Sequence, residues 1–294
     1  MVLPNFLCVG TQKAGTTSLH NILKQHPDIC LSSTKETKYF IDDKKYQQGI
    51  RYYETMFFNH YKGEKAVGEI DPDYMFVPFV PERIYKSLSR EIKLIFILRD
   101  PIDRAISHYW MNFRKGFENA DIQKAFKREF VNTGADNDIF YNKRFSYISR
   151  GYYATQIKRF LDFFPIKNML FIIFESDFRT RLQVTITTIL NFLKLESKDL
   201  DLEIKNNVTS LPKHELLRNI LYNDGLIKKL MRCLVPSKMR GKLMFHLKKI
   251  NEKPFKPDAF DRSYKRDLLH EYFIDEITEL ERIIKRDLSM WYTF

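Results

Sequence analysis

The sequence predicts an α/β protein: a parallel central sheet of about five strands flanked by helices. Three observations predict it. Short, continuously apolar runs recur through the first two thirds of the chain, as expected of strands covered on both faces. Longer amphipathic stretches separate them, and strand–helix alternation argues for a parallel sheet with helices on both sides. The first apolar run feeds a helix pattern through a small polar loop holding Gly10 and Gly15, the outline of a phosphate-binding turn.

In chain order, the strands are expected at "FLCVG" (6–10), "ICLS" (29–32), "AVGEI" (66–70), "KLIFIL" (93–98) and "MLFIIF" (169–174). Helix patterns fall at roughly 16–26, 47–58, 79–90, 101–115, 120–130 and 150–164. The helix opening at Pro101 is well signalled: Asp100 suits the N-cap, Pro101 the first position, and Asp103 adds negative charge to the first turn. Residues 133–147 show no clean period and read as a loop or excursion. From about 204 to 260 the chain is basic and mixed, with Pro212, Pro236, Pro254 and Pro257. Residues 261–288 read as one long amphipathic helix or two joined ones. No internal repeat or low-complexity linker interrupts the 294 residues, so a single domain over 1–294 is the simplest organisation.

Composition bounds the function. Aromatic residues make up 15% of the chain, with 25 Phe and 16 Tyr, so core material is abundant. A net charge of +12 suits an anionic partner, whether nucleotide, nucleic acid, acidic polysaccharide or membrane surface. A solvated basic surface would show the same charge, which does not choose between them. Cys8, Cys30 and Cys233 are odd in number and form no C-x-x-C pair, which excludes a disulfide framework or zinc site. Cys8 lies inside the first apolar run and reads as a buried free thiol, compatible with a reducing compartment. No signal peptide is visible and no apolar stretch reaches the ~18 residues of a membrane span. A cytoplasmic location is the expectation.

Two segments carry the chemistry. In "GTQKAGTTS" a strand meets a helix through Gly10, Gly15, Thr16, Thr17 and Ser18, which gathers backbone N–H groups and hydroxyls around one spot. In G-x-x-x-x-G-K-[ST] the lysine follows the second Gly; here Thr16 stands there and Lys13 precedes Gly15. In "LIFILRDPIDRAISHYW" (94–110) Arg99 ends an apolar strand, where open α/β sheets bind ligands. It can hold a phosphate in a fork, with Ser107 donating from the next helix. An Arg99–Asp100 structural pair is the alternative, and Arg104 stands at helical i,i+4 spacing from Asp100. ATP carries its phosphates in one string. Two cradles suit a nucleotide with one group at the 5′ end and a separate phosphate on the ribose.

These residues resemble the sulfotransferases that use 3′-phosphoadenosine 5′-phosphosulfate (PAPS). "GTQKAGTTSL" resembles their 5′-phosphosulfate loop, K-x-G-T-T-x-L, and "LRDPIDRAISHY" their 3′-phosphate motif, R-D-P-x-x-R-x-x-S-x-Y. "HPDICLSSTKETKYF" (26–40) is similar to the segment of heparan-sulfate-type glycan sulfotransferases that ends in E-x-x-F-F, and "VGEIDPDYMF" (67–76) to their E-K-[ST]-P-x-Y-F. Residues 150–165, 189–196 and 280–291 also resemble the common pattern, so the likeness covers most of the chain. It implies a P-loop-like, nucleotide-kinase-related fold with five parallel strands. It implies that Lys13, Ala14, Gly15, Thr16, Thr17 and Ser18 hold the 5′-phosphosulfate and that Arg99 and Ser107 hold the 3′-phosphate, with PAP as product and no metal required. Glu36, first in E-x-x-F-F, becomes the general base, and Lys13 the stabiliser of the bridging oxygen that leaves. Lys35 is placed to assist the transferring group. Glu69, at a strand end, is the alternative base, and a surface carboxylate paired with Lys35 or Lys38 is the plainer reading of Glu36.

The sequence also departs from the pattern. Ile70 replaces the Lys after Glu69, and Asp71 replaces Ser or Thr. The K-G-R-x-H-type loop that closes over the nucleotide is replaced by "NEKPFKPDAF" (251–260), where Lys253 and Lys256 are the candidates for the same role. The His base of small-molecule sulfotransferases has no placeable equivalent, and His108 reads as local packing or surface. The expected acceptor is a hydroxyl or amine, on a carbohydrate or a small hydroxyl compound, rather than nucleic acid. The stretches 41–62, 111–147 and 206–260 are expected to line its cleft without naming it. The competing readings are a nucleotide kinase or NTPase, disfavoured by Thr16, and a non-catalytic module binding nucleotide or anionic glycan.

Overall fold

A computed structural model describes residues 2–131, 144–203, 210–214, 247, 250–254 and 260–293. The chain divides into two compact units. The first comprises Met1–Arg104, Ile148–Lys205 and Arg266–Phe294, and the second Ala105–Tyr147 and Asn206–Lys265.

The first unit is built on five parallel strands: β1 (Phe6–Gly10), β2 (Ile29–Leu31), β3 (Ala66–Ile70), β4 (Lys93–Leu98) and β5 (Met169–Ile173). They match the apolar runs to within a residue, because β1 to β4 are buried on both faces, with β5 half-buried at Leu170 and Phe171, and none carries a competing period. The strand order is β2-β3-β1-β4-β5. From β1 the chain runs to β2 at one edge, returns to β3 beside β1, and then crosses to β4 on the other side of β1, so the order reverses at β1. In open α/β sheets that reversal opens a crevice at the carboxyl ends of the strands.

Helices join the strands: α1 (Thr16–Leu23), α2 (Asp43–Tyr46), α3 (Gly49–Phe57), α4 (Val80–Ser87), α5 (Pro101–Lys115), α6 (Ile122–Val131) and α7 (Tyr153–Leu161). The helix expected over 47–58 is α3, which opens at Gly49 (φ 80°); the short α2 before it was not expected, and Asp42 caps it by accepting from Lys45 N–H. The start of α5 is as expected: Asp100 Oδ1 accepts from the N–H groups of Ile102 (2.9 Å) and Asp103 (2.8 Å).

One helix was not announced by its sequence. α8 (Leu182–Phe192) reads "LQVTITTILNF", rich in β-branched residues that favour strands. It is helical because Thr185, Ile186, Ile189 and Leu190 form one buried face over the sheet core of Cys8, Ile95, Ile97 and Ile172. Thr187 and Thr188 satisfy their hydroxyls on the carbonyls four residues back. The carboxyl-terminal stretch is two helices, α9 (Arg262–Leu268) and α10 (Ile274–Ile284), joined by a turn at Leu269–Phe273.

The second unit contains most of α5, all of α6 and an unexpected antiparallel pair, β6 (Ser210–Pro212) with β7 (Glu252–Pro254). Its buried Glu118 accepts from Arg128 (2.6 Å) and Tyr147 (3.0 Å), which ties the exit of α5 to α6. His108 is buried edge-on against Tyr147, a packing role. Cys8 and Cys30 are buried free thiols, and Cys233 lies outside the described residues.

Candidate active site

The loop after β1 lies at the reversal point. Gly15, at φ 84°, is the residue before α1, and a Cβ there would stand 2.8 Å from Phe178 Cε1. Both facts favour glycine. No side chain caps α1, so its first N–H groups are presented to the loop that precedes it. Lys13 also takes a left-handed backbone, φ 75°. Lys13 and Ser18 are half-buried, Ala14 and Thr16 are buried, and Thr17 is exposed.

Arg99 meets this loop directly. Its Nη1 donates to the Lys13 carbonyl at 2.8 Å, across 86 residues of sequence. Phe174 lies under the guanidinium at 5.1 Å, and Tyr153 OH donates to the Arg99 carbonyl at 2.8 Å. Arg99 Nε is buried without a hydrogen-bond partner, and Glu175 Oε1 is 4.0 Å away. A buried guanidinium edge beside an uncapped helix start is suited to the phosphate groups of a nucleotide. The residues present therefore fit such a ligand. Ser107 is half-buried on α5, in the second unit. Lys253 is exposed on β7 of that unit, and Lys256 lies outside the described residues.

The loop after β2 carries the two candidate bases' surroundings. Glu36 and Lys38 both have left-handed backbones, φ 61° and φ 60°. Between them Thr37 N–H donates to Glu69 Oε1 at 2.8 Å. Glu69 is fully buried on β3 and also accepts from Tyr53 OH (2.5 Å) and Tyr74 OH (3.1 Å). Burial, then the neighbouring charge of Asp71, raises its carboxyl well above the ordinary value. With every oxygen engaged and no exposure, Glu69 anchors the loop that presents Glu36.

Glu36 is paired with Lys35 and with Lys38 Nζ (3.2 Å), as its plainer reading expected, yet its carboxylate is 36% exposed and accessible. Burial alone would raise its pKa, but Lys38 and Lys35 outweigh burial and hold it below 4.5. Glu36 is thus ionised at neutral pH. His20 on α1 responds to the same loop: burial, then Lys35 and Lys24, lowers it to about 4. The loop that carries Lys35 and Glu36 and the helix α1 share one electrostatic neighbourhood.

Sequence reasoning paired Lys38 with Glu36 alone and missed its two aspartates. Its ammonium faces Glu36, Asp71 Oδ1 (2.6 Å) and Asp73 Oδ2 (2.9 Å), and Arg150 Nη2 meets the other Asp73 oxygen at 2.9 Å. Where the family pattern has a lysine at position 70, an ammonium reaches this strand end from the loop after β2, and Asp71, which looked like a plain departure, is the counter-ion of Lys38. The co-occurrence of Lys38 with Asp71 and Asp73 was the available signal, but 33 and 35 residues of separation hid it. Among the described residues no group of three or more His, Cys, Asp or Glu is arranged to hold a metal ion, and no helix is long and apolar enough to cross a membrane.

Comparison with known proteins adds an independent line. A model of the sulfotransferase domain matches residues 3–219. The membrane-associated sulfotransferase kil1 of Dictyostelium discoideum is 39% identical over 111 residues, 37% of this chain and 23% of the relative. Heparan sulfate glucosamine 3-O-sulfotransferase 5 of Mus musculus is 31% identical over 166 residues, 56% of this chain and 46% of the relative. The chain therefore spans less than half the length of these curated relatives. A solved sulfotransferase from Alicyclobacillus acidocaldarius has a TM-score of 0.68 at 24% identity, covering 99% of each chain, a likeness of fold.

Proposed function

The chain belongs to the sulfotransferase domain family, and from that membership we propose that it moves the sulfuryl group of PAPS to an acceptor hydroxyl or amine on a carbohydrate. The observation that carries the proposal is the bond from Arg99 to the Lys13 carbonyl, which brings together the two segments that resemble the family's nucleotide motifs. A triphosphate has no use for two cradles, and Thr16 stands where a lysine would serve one.

In this reading Lys13, Ala14, Gly15, Thr16, Thr17 and Ser18 hold the 5′-phosphosulfate, and Arg99 with Ser107 holds the 3′-phosphate. When bound, the nucleotide supplies the activated sulfuryl group. Lys13 offers its ammonium to the oxygen that gains charge, an effect worth roughly 10²–10³ in rate. Glu36, ionised and accessible, takes the acceptor proton, and Lys35 beside it balances the charge that arrives. Lys253 and Lys256 are proposed to close over the nucleotide, and no metal takes part. A carbohydrate acceptor is supported by the relative that acts on heparan sulfate glucosamine. One catalytic domain over 1–294 and a cytoplasmic location complete the proposal, the latter supported by the buried free thiols Cys8 and Cys30.

The test is ligand binding by the purified chain. Adenosine 3′,5′-bisphosphate should bind without Mg²⁺ and at least ~10-fold more tightly than ATP, about 1.4 kcal/mol. Equal binding, or ATP binding that needs Mg²⁺, would overturn it. Transfer of label from PAPS to a panel of glycans then reads the acceptor.

A further inference from the structure

We propose that Glu175 and Trp291 are positioning residues for Arg99, so that the carboxyl-terminal turn governs selectivity for a 3′-phosphate; this rests on the nucleotide reading above. Trp291 is 1% exposed, and its indole Nε1–H donates to Glu175 Oε2 at 3.2 Å. The other oxygen of Glu175 accepts from Asp100 N–H at 3.2 Å and stands 4.0 Å from Arg99 Nε. One carboxylate therefore links the end of β4 to the carboxyl terminus. A second path converges on the same residue: the Trp291 ring packs on Tyr153 at 6.1 Å, and Tyr153 holds the Arg99 carbonyl.

The turn that carries Glu175, Phe174–Arg179, supports both anion cradles. Phe174 lies under the Arg99 guanidinium, and Phe178 fills the space beside Gly15. Asp177 in that turn receives both Nη groups of Arg286, each at 2.9 Å. Arg286 and Trp291 both belong to the carboxyl-terminal segment, which therefore meets this turn at two points.

The geometry of Arg99 shows what is being held. Nη1 is committed to the Lys13 carbonyl, while Nε is a buried donor without a hydrogen-bond partner. A guanidinium whose orientation is fixed before binding loses less freedom when a phosphate arrives. Glu175, tethered by Trp291, keeps the guanidinium from turning that edge elsewhere.

The experiment is calorimetric titration of the full chain with adenosine 3′,5′-bisphosphate and with adenosine 5′-monophosphate. Trp291→Phe keeps a ring and removes the donor; Glu175→Gln keeps the size and removes the charge. Loss of one such bond is expected to weaken the bisphosphate about 5-fold for Trp291→Phe and about 10-fold for Glu175→Gln. The monophosphate should change less than about 2-fold, and neither substitution should add to the loss in an Arg99→Ala background. Equal losses for both ligands, no loss, or additive losses with Arg99→Ala overturn the proposal. If Trp291→Phe fails to fold, Glu175→Gln decides alone. A parent protein without preference for the bisphosphate overturns the nucleotide reading and this inference together. A preference that both variants retain overturns the inference only.

Discussion

Glu36 and Glu69 are both carboxylates at the carboxyl end of the sheet, and their surroundings give them opposite characters. Lys38 and Lys35 hold Glu36 below 4.5, whereas burial and Asp71 push Glu69 up. The pH profile of kcat/KM therefore separates the two as bases. With Glu36 as base, the acidic limb lies below pH 4.5; with Glu69, it is displaced above the usual carboxylate range. Glu36→Gln should lower kcat by roughly 10²–10⁴ while leaving bisphosphate affinity unchanged, measured by turnover and titration. Glu69→Gln should act on folding, because Thr37, Tyr53 and Tyr74 share two acceptor oxygens and the amide keeps only one. For a carboxyl raised in the folded state, the stabilising contribution is complete below the unfolded value of 4.5 and is lost as pH rises through the folded value. Thermal melts across that window should show this loss in the parent and a flatter dependence in Glu69→Gln. The identity of these residues was legible in the sequence, but their contrasting environments were not, since they depend on which carboxylate is sealed by tyrosines.

At the scale of elements, the turn between β5 and α8 organises the site from beneath. Gly15→Ala meets Phe178 and adopts a φ that costs an alanine roughly 1–2 kcal/mol. It should weaken the bisphosphate and the monophosphate together, unlike the selective loss expected at Trp291. Arg286 holds Asp177, whose pKa burial would raise but which Arg286 and the Ile173 N–H together lower. That contribution is present above the ordinary value of 3.8 and is lost as pH falls through the lowered one. Arg286→Ala should cost about 1 kcal/mol in urea denaturation, discounted because its side chain is 37% exposed. The strands and the opening loop were legible because their signals are local: an apolar run, a glycine at a turn, an Asp-Pro helix start. The helix at Leu182–Phe192 was not, because its β-branched residues favour a strand and only packing on the sheet core outweighs that preference.

At the scale of the whole molecule, the net charge of +12 should draw an anionic nucleotide from a distance. Raising ionic strength from about 0.05 to about 0.5 M shortens the screening length several-fold and should slow bisphosphate association while leaving adenosine nearly unaffected, measured by stopped flow. The charge sets only this long-range term; locally, Lys38 and Arg150 are already balanced by Asp71 and Asp73. The sequence by itself determined the parallel α/β class, the positions of five strands, and the two segments whose pattern points to a 3′-phosphorylated nucleotide. All are properties of neighbouring residues, set by side-chain period, turn chemistry and motif spacing. Only the tertiary structure decided the strand order, the pairing of Lys38 with Asp71, the sealing of Glu69, and the line from Trp291 through Glu175 to Arg99. Those are contacts between segments remote in sequence, which no local period or propensity encodes and which exist only once the sheet has brought its strand ends to one edge.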